Sequence, residues 1–263
     1  MEQESVMNAA KAARQMRQRL ESLRSAGIEF LPAGPIQMPG TPAIADPLPH
    51  EALPDVNDGV AGIDQRRVAL KTLAEQVSGC VRCKELASTR TQTVFGVGSI
   101  GPDVCFIGEA PGRDEDLQGE PFVGAAGQLL NRIISAAGMK REEVYICNIL
   151  RCRPPGNRAP KPEEAANCQE WLERTLELVR PRFICTLGAS AARFLLGLGP
   201  TVTIGKLRGR FYEYRNIPVL CTYHPSYLLR IEDERRKNDE KRKVWEDMKM
   251  LLTRMGKAIP EKG

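Results

Sequence analysis

Four of the eight cysteines lie in polar sequence at spacings typical of metal ligands. Cys80 and Cys83 form a C-x2-C pair, and Cys152 and Cys168 follow with fifteen residues between them. The C-x2-C spacing lets both thiolates face one metal ion or cluster. Zinc and a [4Fe–4S] cluster both accept four thiolates. Because zinc sites usually combine two tight C-x2-C pairs, the split second pair favours iron–sulfur, and zinc stays the alternative.

The other four cysteines lie inside short apolar segments, where free cysteine behaves as a small hydrophobic residue. The loop cysteines differ from them in having charged residues or proline nearby. We therefore assign the segment cysteines to the core: Cys105, Cys147, Cys185 and Cys221.

The segment GEAPGRDED (residues 108–116) begins at the last residue of the apolar run VCFIG. A glycine-rich turn after a strand can bind phosphate through its backbone N–H groups. This one has neither the lysine of a P-loop nor G-x-G-x-x-G spacing, which argues against nucleotide binding. We favour an active-site loop whose backbone faces a ligand and whose Glu109 and Glu115 supply carboxylates. Arg113 and Asp114 are assigned to solvent.

Two further polar residues, Asn148 and His224, stand at the ends of predicted strands. The only other histidine, His50, lies in proline-rich sequence. A strand-end histidine before proline can serve in catalysis or be structural. The Asn148 amide is either structural or suited to the two-sided edge of a nucleobase. In HPSYLLR (residues 224–230) the leucines and arginine indicate a surface that meets a partner, or the first turn of an amphipathic helix.

Short apolar strands alternate with helical segments from about residue 61 onward. The alternation predicts a three-layer α/β/α fold around a central, mostly parallel, four-stranded sheet. Strands are predicted over residues 104–108, 144–150, 183–188 and 217–222. The polar segments described above follow these strands, and in parallel sheets functional loops gather beyond the carboxyl ends.

The N-terminal sequence is of a different kind. Residues 1–26 predict a charged helix that Gly27 ends, and residues 31–60 contain seven prolines and predict an extended linker. We therefore divide the chain into an N-terminal helix and linker (1–60) and one folded domain (61–263). The N-terminal part is either a disordered tail or a docking segment for a protein partner.

Composition limits the class of protein. Hydrophobic residues make up 42% of the chain, enough for a core, and the net charge of +5 permits contact with nucleic acid. No apolar run is long enough to span a membrane, and the first residues lack the apolar stretch of a secretory signal. We expect a cytoplasmic protein whose cysteines serve as thiols or metal ligands, because disulfides are rare in that compartment.

Taken together, the motifs resemble those of the family 4 uracil-DNA glycosylases. The resemblance is carried by CVRC, GEAPGRDEDLQGEPFVGAAGQLL, YICNILRCRPPGNRAPKPEEAANC and HPSYLLR, and it covers roughly residues 66–252. It implies the uracil-DNA glycosylase α/β/α fold and a [4Fe–4S] cluster. It also implies hydrolysis of the N-glycosidic bond between uracil and deoxyribose in DNA. The ligands implied for the cluster are Cys80, Cys83, Cys152 and Cys168.

Matched by motif position, the other residues acquire implied roles. Glu109 would position or polarise the attacking water together with the loop backbone, and Phe122 would stack on the flipped uracil. Glu115 would lie near the 5-position, where the family excludes the thymine methyl. Asn148 would bind the uracil edge, and His224 would bind O2 and stabilise the departing anion. The implied substrate-binding set is Gly108, Ala110, Glu115, Phe122, Asn148 and His224.

The resemblance also implies how DNA would be bound. The HPSYLLR loop would enter the minor groove, with one of its last three residues filling the vacated stack. The implied contacts are Ser226, Leu228, Leu229 and Arg230, and we expect phosphates to meet Lys206, Arg208, Arg210 and Arg230. The expected partner is uracil-containing DNA, single- or double-stranded, bound by a nucleoid-associated monomer. The alternative is a non-catalytic iron–sulfur DNA-binding module of the same fold, associated with a repair protein or polymerase.

One subgroup of relatives carries an extra basic, histidine-containing loop before the last motif and stays covalently bound to the abasic product. Here the corresponding region reads TIGKLRGRFYEY (residues 203–214), with neither insertion nor histidine. We therefore expect hydrolytic turnover without covalent trapping.

Overall fold

The structure is a computed structural model that describes residues 59–260. The predicted helix over residues 1–26 and nearly all of the proline-rich linker lie outside the described residues. The folded domain predicted from residue 61 begins within a helix that starts at Gly59.

The described part of the chain contains one six-stranded sheet with the strand order β1-β3-β2-β4-β6-β5. The four central strands are parallel to one another, and the two edge strands are antiparallel. The prediction of a mostly parallel sheet is confirmed, and its four strands are the four central ones. The strands are β1 (Val97–Gly98), β2 (Val104–Gly108), β3 (Tyr145–Asn148), β4 (Phe183–Leu187), β5 (Phe211–Tyr214) and β6 (Ile217–Thr222).

The sequence analysis missed both edge strands. Strand β1 has only two residues, too few for a hydrophobic pattern. Strand β5 forms a hairpin with β6 through Arg215 and Asn216, whose φ angles are 49° and 63°. Positive φ at both central residues is the geometry of a two-residue hairpin turn that matches the twist of the strands. Asparagine tolerates this conformation and arginine rarely adopts it, so the turn was hard to recognise.

Helices cover both faces of the sheet and complete the predicted three layers. Their bounds are α1 (Gly59–Ser78), α2 (Lys84–Thr89), α3 (Arg113–Gln118), α4 (Ala125–Ala136), α5 (Pro162–Val179), α6 (Ala189–Leu196), α7 (Ile204–Leu207), α8 (Pro225–Leu229) and α9 (Glu234–Met255). Short 3-10 turns occur at Arg141–Glu143 and Pro155–Asn157. No helix in the described part of the chain has the length and apolar character needed to cross a membrane.

Alternate residues of each strand face opposite layers. Cys105 and Ile107 of β2 pack with residues of α1, α5 and α6, whereas Val104 and Phe106 pack with α4 and α9. All five residues of β2 are buried, as expected for a central parallel strand. The four strand cysteines are fully buried, which confirms their assignment to the core: Cys105, Cys147, Cys185 and Cys221.

The register of the parallel strands brings the polar segments to one edge. Gly108 at the end of β2 pairs with Asn148 at the end of β3, and Leu187 of β4 pairs with Thr222 of β6. His224 follows β6 by two residues. The strand ends therefore deliver the candidate residues to a common site, as predicted from their positions.

Candidate active site

A cleft of about 860 Å³ opens at the carboxyl ends of the parallel strands. Most of the residues singled out from the sequence line it, and they come from three chain segments, which follow β2, end β3 and follow β6. The predicted site residues in its wall are Glu109, Ala110, Glu115, Phe122, Asn148, His224, Ser226 and Arg230. Gly108 lies beneath Asn148 and Phe122.

Asn148 is the most unusual polar residue of the cleft. Its side chain is buried, with 2% of the residue exposed, and its Oδ1 has no hydrogen-bond partner among the described residues. A side chain added at Gly108 would overlap both this oxygen and the Phe122 ring, so only glycine lets the amide and the ring approach the end of β2 this closely. Buried polar atoms are nearly always hydrogen-bonded, and an unsatisfied one in a cleft indicates a ligand.

Phe122 is held in an uncommon backbone conformation, with a φ of 55°. Such strain clusters at ligand-binding sites because the surrounding structure enforces it. Arg141 donates to the Pro121 carbonyl at 2.6 Å, and Gly127 is so close to the Phe122 backbone that a side chain there would overlap it. The Phe122 ring lies 5.6 Å from the His224 ring, with an interplanar angle of 34°. The two rings line the same part of the cleft.

The Glu115 carboxylate accepts backbone hydrogen bonds from the loops around Phe122. Its Oε2 accepts the backbone N–H of Gly112, and its Oε1 accepts those of Val123 and Gly124, each at 3.0 Å. Both carboxylate oxygens are therefore engaged by the backbone. The predicted role beside the base 5-position stays a prediction, and the structure adds a positioning role that the sequence did not indicate.

Glu109 projects from the loop after β2. Burial raises the pKa of its carboxyl, while a hydrogen bond to Ser190 and the charges of Arg193 and Arg230 oppose the rise. Ser190 lies in the first turn of α6 and was missed by the sequence analysis. Glu109, Ser190, Arg193 and Arg230 all line the cleft.

His224 caps the N-terminus of α8. Its Nδ1 accepts the backbone N–H of Ser226 at 3.1 Å and lies 2.7 Å from the Ser226 hydroxyl. Because a backbone N–H can only donate, Nδ1 must be unprotonated, and the proton of the neutral ring belongs on Nε2. Burial, aided by the nearby Arg230 charge, lowers the pKa of His224 to about 4. At neutral pH the ring is therefore an uncharged donor.

The HPSYLLR segment contains both buried and solvent-exposed residues. Leu228 is 1% exposed and packs against Leu129, Ile231 and Val244, so we withdraw it from the predicted DNA contacts. Leu229 is 44% exposed, and Arg230 is also exposed. Ser226 is partly buried, and its amide and hydroxyl both engage His224.

Three of the expected phosphate contacts have partners within the protein. Arg230 is exposed, and its Nε donates to the Ser226 carbonyl at 3.2 Å. Arg208 forms a two-point ion pair with the fully buried Asp247, at 3.0 and 3.1 Å, so the expectation for Arg208 is wrong. Arg210 donates to the Tyr212 hydroxyl at 2.7 Å and to the Lys206 carbonyl at 2.6 Å. The side chains of Lys206 and Arg230 are left as the better candidates for contact with DNA phosphates.

The four loop cysteines lie near one another beside the cleft. Burial raises the pKa of Cys152, with smaller contributions from Cys80 and Cys83. Burial likewise raises the pKa of Cys168 to about 11, and Cys152 and Cys83 add to the rise. As the side chains stand, no group of three or more potential ligands among the described residues has the geometry of a metal site.

Two of these sulfurs accept hydrogen bonds from polar side chains. Arg90 donates to the Cys152 sulfur at 3.0 Å, and Asn167 donates to the Cys83 sulfur at 3.4 Å. Hydrogen bonds to sulfur and nearby positive charge stabilise thiolates and tune clusters bound to them. Four soft donors in such surroundings fit the implied group, whose binding would displace the thiol protons.

A buried carboxylate that the sequence analysis left unassigned links the cysteine region to the cleft. Asp116, with 2% exposed, accepts the backbone N–H of Thr91 at 2.9 and 3.1 Å and its hydroxyl at 2.9 Å. Thr91 follows helix α2, which begins directly after Cys83. No local signal distinguishes Asp116 from its charged neighbours, because its partner lies 25 residues away.

Comparison with known proteins agrees with this geometry. A profile of the uracil DNA glycosylase superfamily matches residues 95–249, and the chain belongs to that superfamily. Among its curated relatives, the type-4 uracil-DNA glycosylase of Archaeoglobus fulgidus is 44% identical over 167 residues, covering 61% of this chain and 83% of the relative. The type-4 enzyme of Thermotoga maritima is 42% identical over 184 residues, covering 70% and 93%. A type-5 uracil-DNA glycosylase of Pyrobaculum aerophilum is 30% identical, covering 57% and 79%.

We predict that His224 titrates near pH 4 and carries its neutral proton on Nε2. Because the folded-state pKa is below the ordinary value of about 6.5, unfolding takes up a proton between these two pH values. The stability contributed by the neutral ring is therefore complete above the higher value and is lost as the pH falls toward the lower one. Long-range ¹H–¹⁵N correlation spectra would report both tautomer and pKa, with H224Q assigning the signals. A midpoint near 6.5 or a proton on Nδ1 would contradict the prediction.

Proposed function

We propose that this chain excises uracil from DNA by hydrolysing the bond between the base and deoxyribose, leaving an abasic site. One observation supports this above all others: Asn148, whose Oδ1 has no hydrogen-bond partner among the described residues, and Phe122 line the same cleft side by side. A planar base that entered the cleft there would have a polar edge against the amide and a face against the ring. The family relationship supports the same conclusion.

The Asn148 amide is suited to the uracil edge. An amide both accepts and donates, and uracil presents an N3–H donor between two carbonyl acceptors. Oδ1 would accept from N3–H while the amide nitrogen donates to a carbonyl. Cytosine presents an acceptor at N3, so in the same pose it would set a lone pair against Oδ1 and its N4 amino donor against the amide nitrogen. Such unpaired buried groups discriminate strongly between substrates.

His224 supplies a donor where negative charge develops. Bond cleavage leaves uracil as an anion, and the Nε2–H of the neutral ring would stabilise it at a carbonyl oxygen. Because the low pKa keeps the ring uncharged before the reaction, it contributes as a fixed dipole and no proton transfer is needed. Glu109, held by Ser190, would orient the attacking water together with the loop backbone.

The exposed end of HPSYLLR would meet the DNA. A base inside a duplex must be extruded before it can enter a pocket, at a cost of a few kcal/mol. Leu229 is an exposed hydrophobic side chain next to the cleft and would fill the vacated stack. Arg230 would meet the backbone, with Lys206 as a second phosphate contact.

We also assign a [4Fe–4S] cluster to Cys80, Cys83, Cys152 and Cys168, a refinement that rests on the donor set and on the type-4 relatives. When bound, it would cross-link the chain segments before and after the cleft. None of these cysteines lines the cleft. The chemistry at the base therefore belongs to Asn148, His224 and Glu109.

We predict that N148A and H224A each lower uracil excision by about a hundredfold to a thousandfold, because each removes a group that acts on the reacting base. Single-turnover release of uracil from labelled oligonucleotides, read as alkali-labile sites, measures the rate. N238A on the exposed face of α9 and H50A are the matched controls and should keep the wild-type rate. Wild-type protein that binds uracil-containing DNA without creating such sites would instead support the non-catalytic module.

We predict that the product is released without a covalent adduct. The region from Thr203 to Tyr214 contains helix α7 and strand β5. It has no histidine that could form a covalent bond to the sugar. Denaturing gels of the reaction with uracil-containing single strands should show only free protein. A protein–DNA band that survives denaturation would overturn hydrolytic turnover.

We predict that L229A slows excision from duplex DNA by roughly tenfold and leaves single-stranded substrate nearly unaffected, because only the duplex must be unstacked. V68A, which truncates an exposed side chain on α1, is the matched control. The measurement is the ratio of single-turnover rates on the two substrates. Equal slowing of both would show that Leu229 supports the pocket and does not act as a wedge.

A further inference from the structure

Asp247 is a carboxylate of helix α9 that is enclosed by the protein beside the end of strand β6. It is 0% exposed, and two side chains donate hydrogen bonds to it. Arg208 donates Nη2 to Oδ1 at 3.0 Å and Nε to Oδ2 at 3.1 Å, and Thr222 donates its hydroxyl to Oδ2 at 2.7 Å. A buried ion pair often stabilises a fold no more than hydrophobic residues of the same volume would, so stability alone does not account for it.

Arg208 connects this carboxylate to helix α7. It directly follows the helix, and its backbone N–H donates to the Ile204 carbonyl at 2.9 Å. Its Nη2 also donates to the Lys243 carbonyl of α9 at 2.6 Å. Ile204 and Gly205 of α7 line the cleft. Arg208 therefore fixes one stretch of the cleft wall to helix α9.

Thr222 connects the same carboxylate to the loop that carries His224. It is the last residue of β6 and is 1% exposed. Its carbonyl accepts the Gly188 N–H at 2.8 Å, and a side chain added at Gly188 would come within 3.0 Å of the His224 Cβ. Between them, Tyr223 lines the cleft beside His224, and its ring centre lies 5.8 Å from the guanidinium carbon of Arg208. The Thr222 hydroxyl thus anchors the strand two residues before the histidine.

We propose that Asp247 is a positioning residue that holds His224 in place through the Thr222 hydroxyl and joins the His224 side of the cleft to helix α7 through Arg208. The inference rests on the proposed function, in which His224 donates to the departing base, and it deepens that function by adding residues that do not line the cleft. Fixed dipoles stabilise developing charge better than groups that must reorient. Loss of the anchor should therefore slow the reaction without weakening DNA binding.

Thr222 permits a test that leaves the buried ion pair intact. T222V replaces the hydroxyl by a methyl group and keeps a β-branched residue in the strand, whereas T222S keeps the hydroxyl. Asp103 provides the matched control, because its carboxylate pairs with Arg182 at 2.8 Å and with Lys257 at 2.6 Å. Lys257 follows α9, so D103N also removes a link between this helix and the sheet. That link lies at the start of β2, at the edge of the sheet opposite the cleft.

The first measurement is single-turnover uracil release at increasing protein concentration, which separates the maximal rate from the half-saturating concentration. T222V should lower the maximal rate about tenfold, the effect of one lost hydrogen bond, and leave the half-saturating concentration unchanged. T222S and D103N should keep the wild-type maximal rate. A partly unfolded fraction raises only the half-saturating concentration, so it would not imitate this result. The inference is overturned if T222V keeps the wild-type maximal rate, or if T222S is slowed as much as T222V.

The second measurement follows the His224 ring itself by long-range ¹H–¹⁵N correlation spectra. T222V should move the Nδ1 and Nε2 signals toward each other, because a displaced loop no longer lets the Ser226 amide select one tautomer. T222S and D103N should leave both signals in place. If T222V does not fold, T222A removes the same hydroxyl without adding a methyl group and takes its place in both measurements.

The outcomes separate this inference from the proposed function. Wild-type protein that releases no uracil overturns the proposed function, and the His224 spectra then decide the positioning role without reference to catalysis. Wild-type His224 signals in folded T222V contradict the positioning role alone and leave uracil excision in place.

Discussion

The site depends on the register between strands β2 and β3. Pairing of Gly108 with Asn148 sets the amide directly beside the one residue type that has no side chain to overlap it. The pairing continues past the strands, where Ile149 and Leu150 donate to the Gly108 and Glu109 carbonyls at 2.9 and 3.0 Å. A shift by one residue would turn the Asn148 side chain to the opposite face of the sheet. The position of the Asn148 amide is thus fixed by backbone hydrogen bonds.

Burial shifts the pKa values of two side chains in the cleft. Burial lowers the pKa of His224 and raises that of Glu109, so in both side chains it favours the uncharged form. A neutral histidine donor needs its other nitrogen occupied, and the short helix α8 does this with the Ser226 amide. The helix therefore has two functions: it orients the ring, and it anchors the exposed Leu229 through the buried Leu228.

Much of this arrangement could be predicted from sequence because it is local. Hydrophobic strands predict the parallel sheet, and their ends mark the loops that hold Asn148 and His224. It could not be predicted that Leu228 is buried and Leu229 exposed, because a five-residue helix is too short for a periodic pattern to identify its buried face. The Arg208–Asp247 pair was equally hidden, since its partners are 39 residues apart and both have side chains usually found at the surface.

The positions of the loop cysteines explain why a site that does not touch the base would matter for catalysis. Cys83 precedes helix α2, whose end is joined through Thr91 to Asp116 in helix α3, which also carries Glu115. Cys152 lies four residues beyond Asn148, and Arg151 bridges the interval through the Asn148 carbonyl. Both walls of the cleft are thus connected to the cysteine region by hydrogen bonds to the backbone. Fixing four sulfurs on one centre would restrain both walls together, and transition-state stabilisation by preset dipoles requires that rigidity.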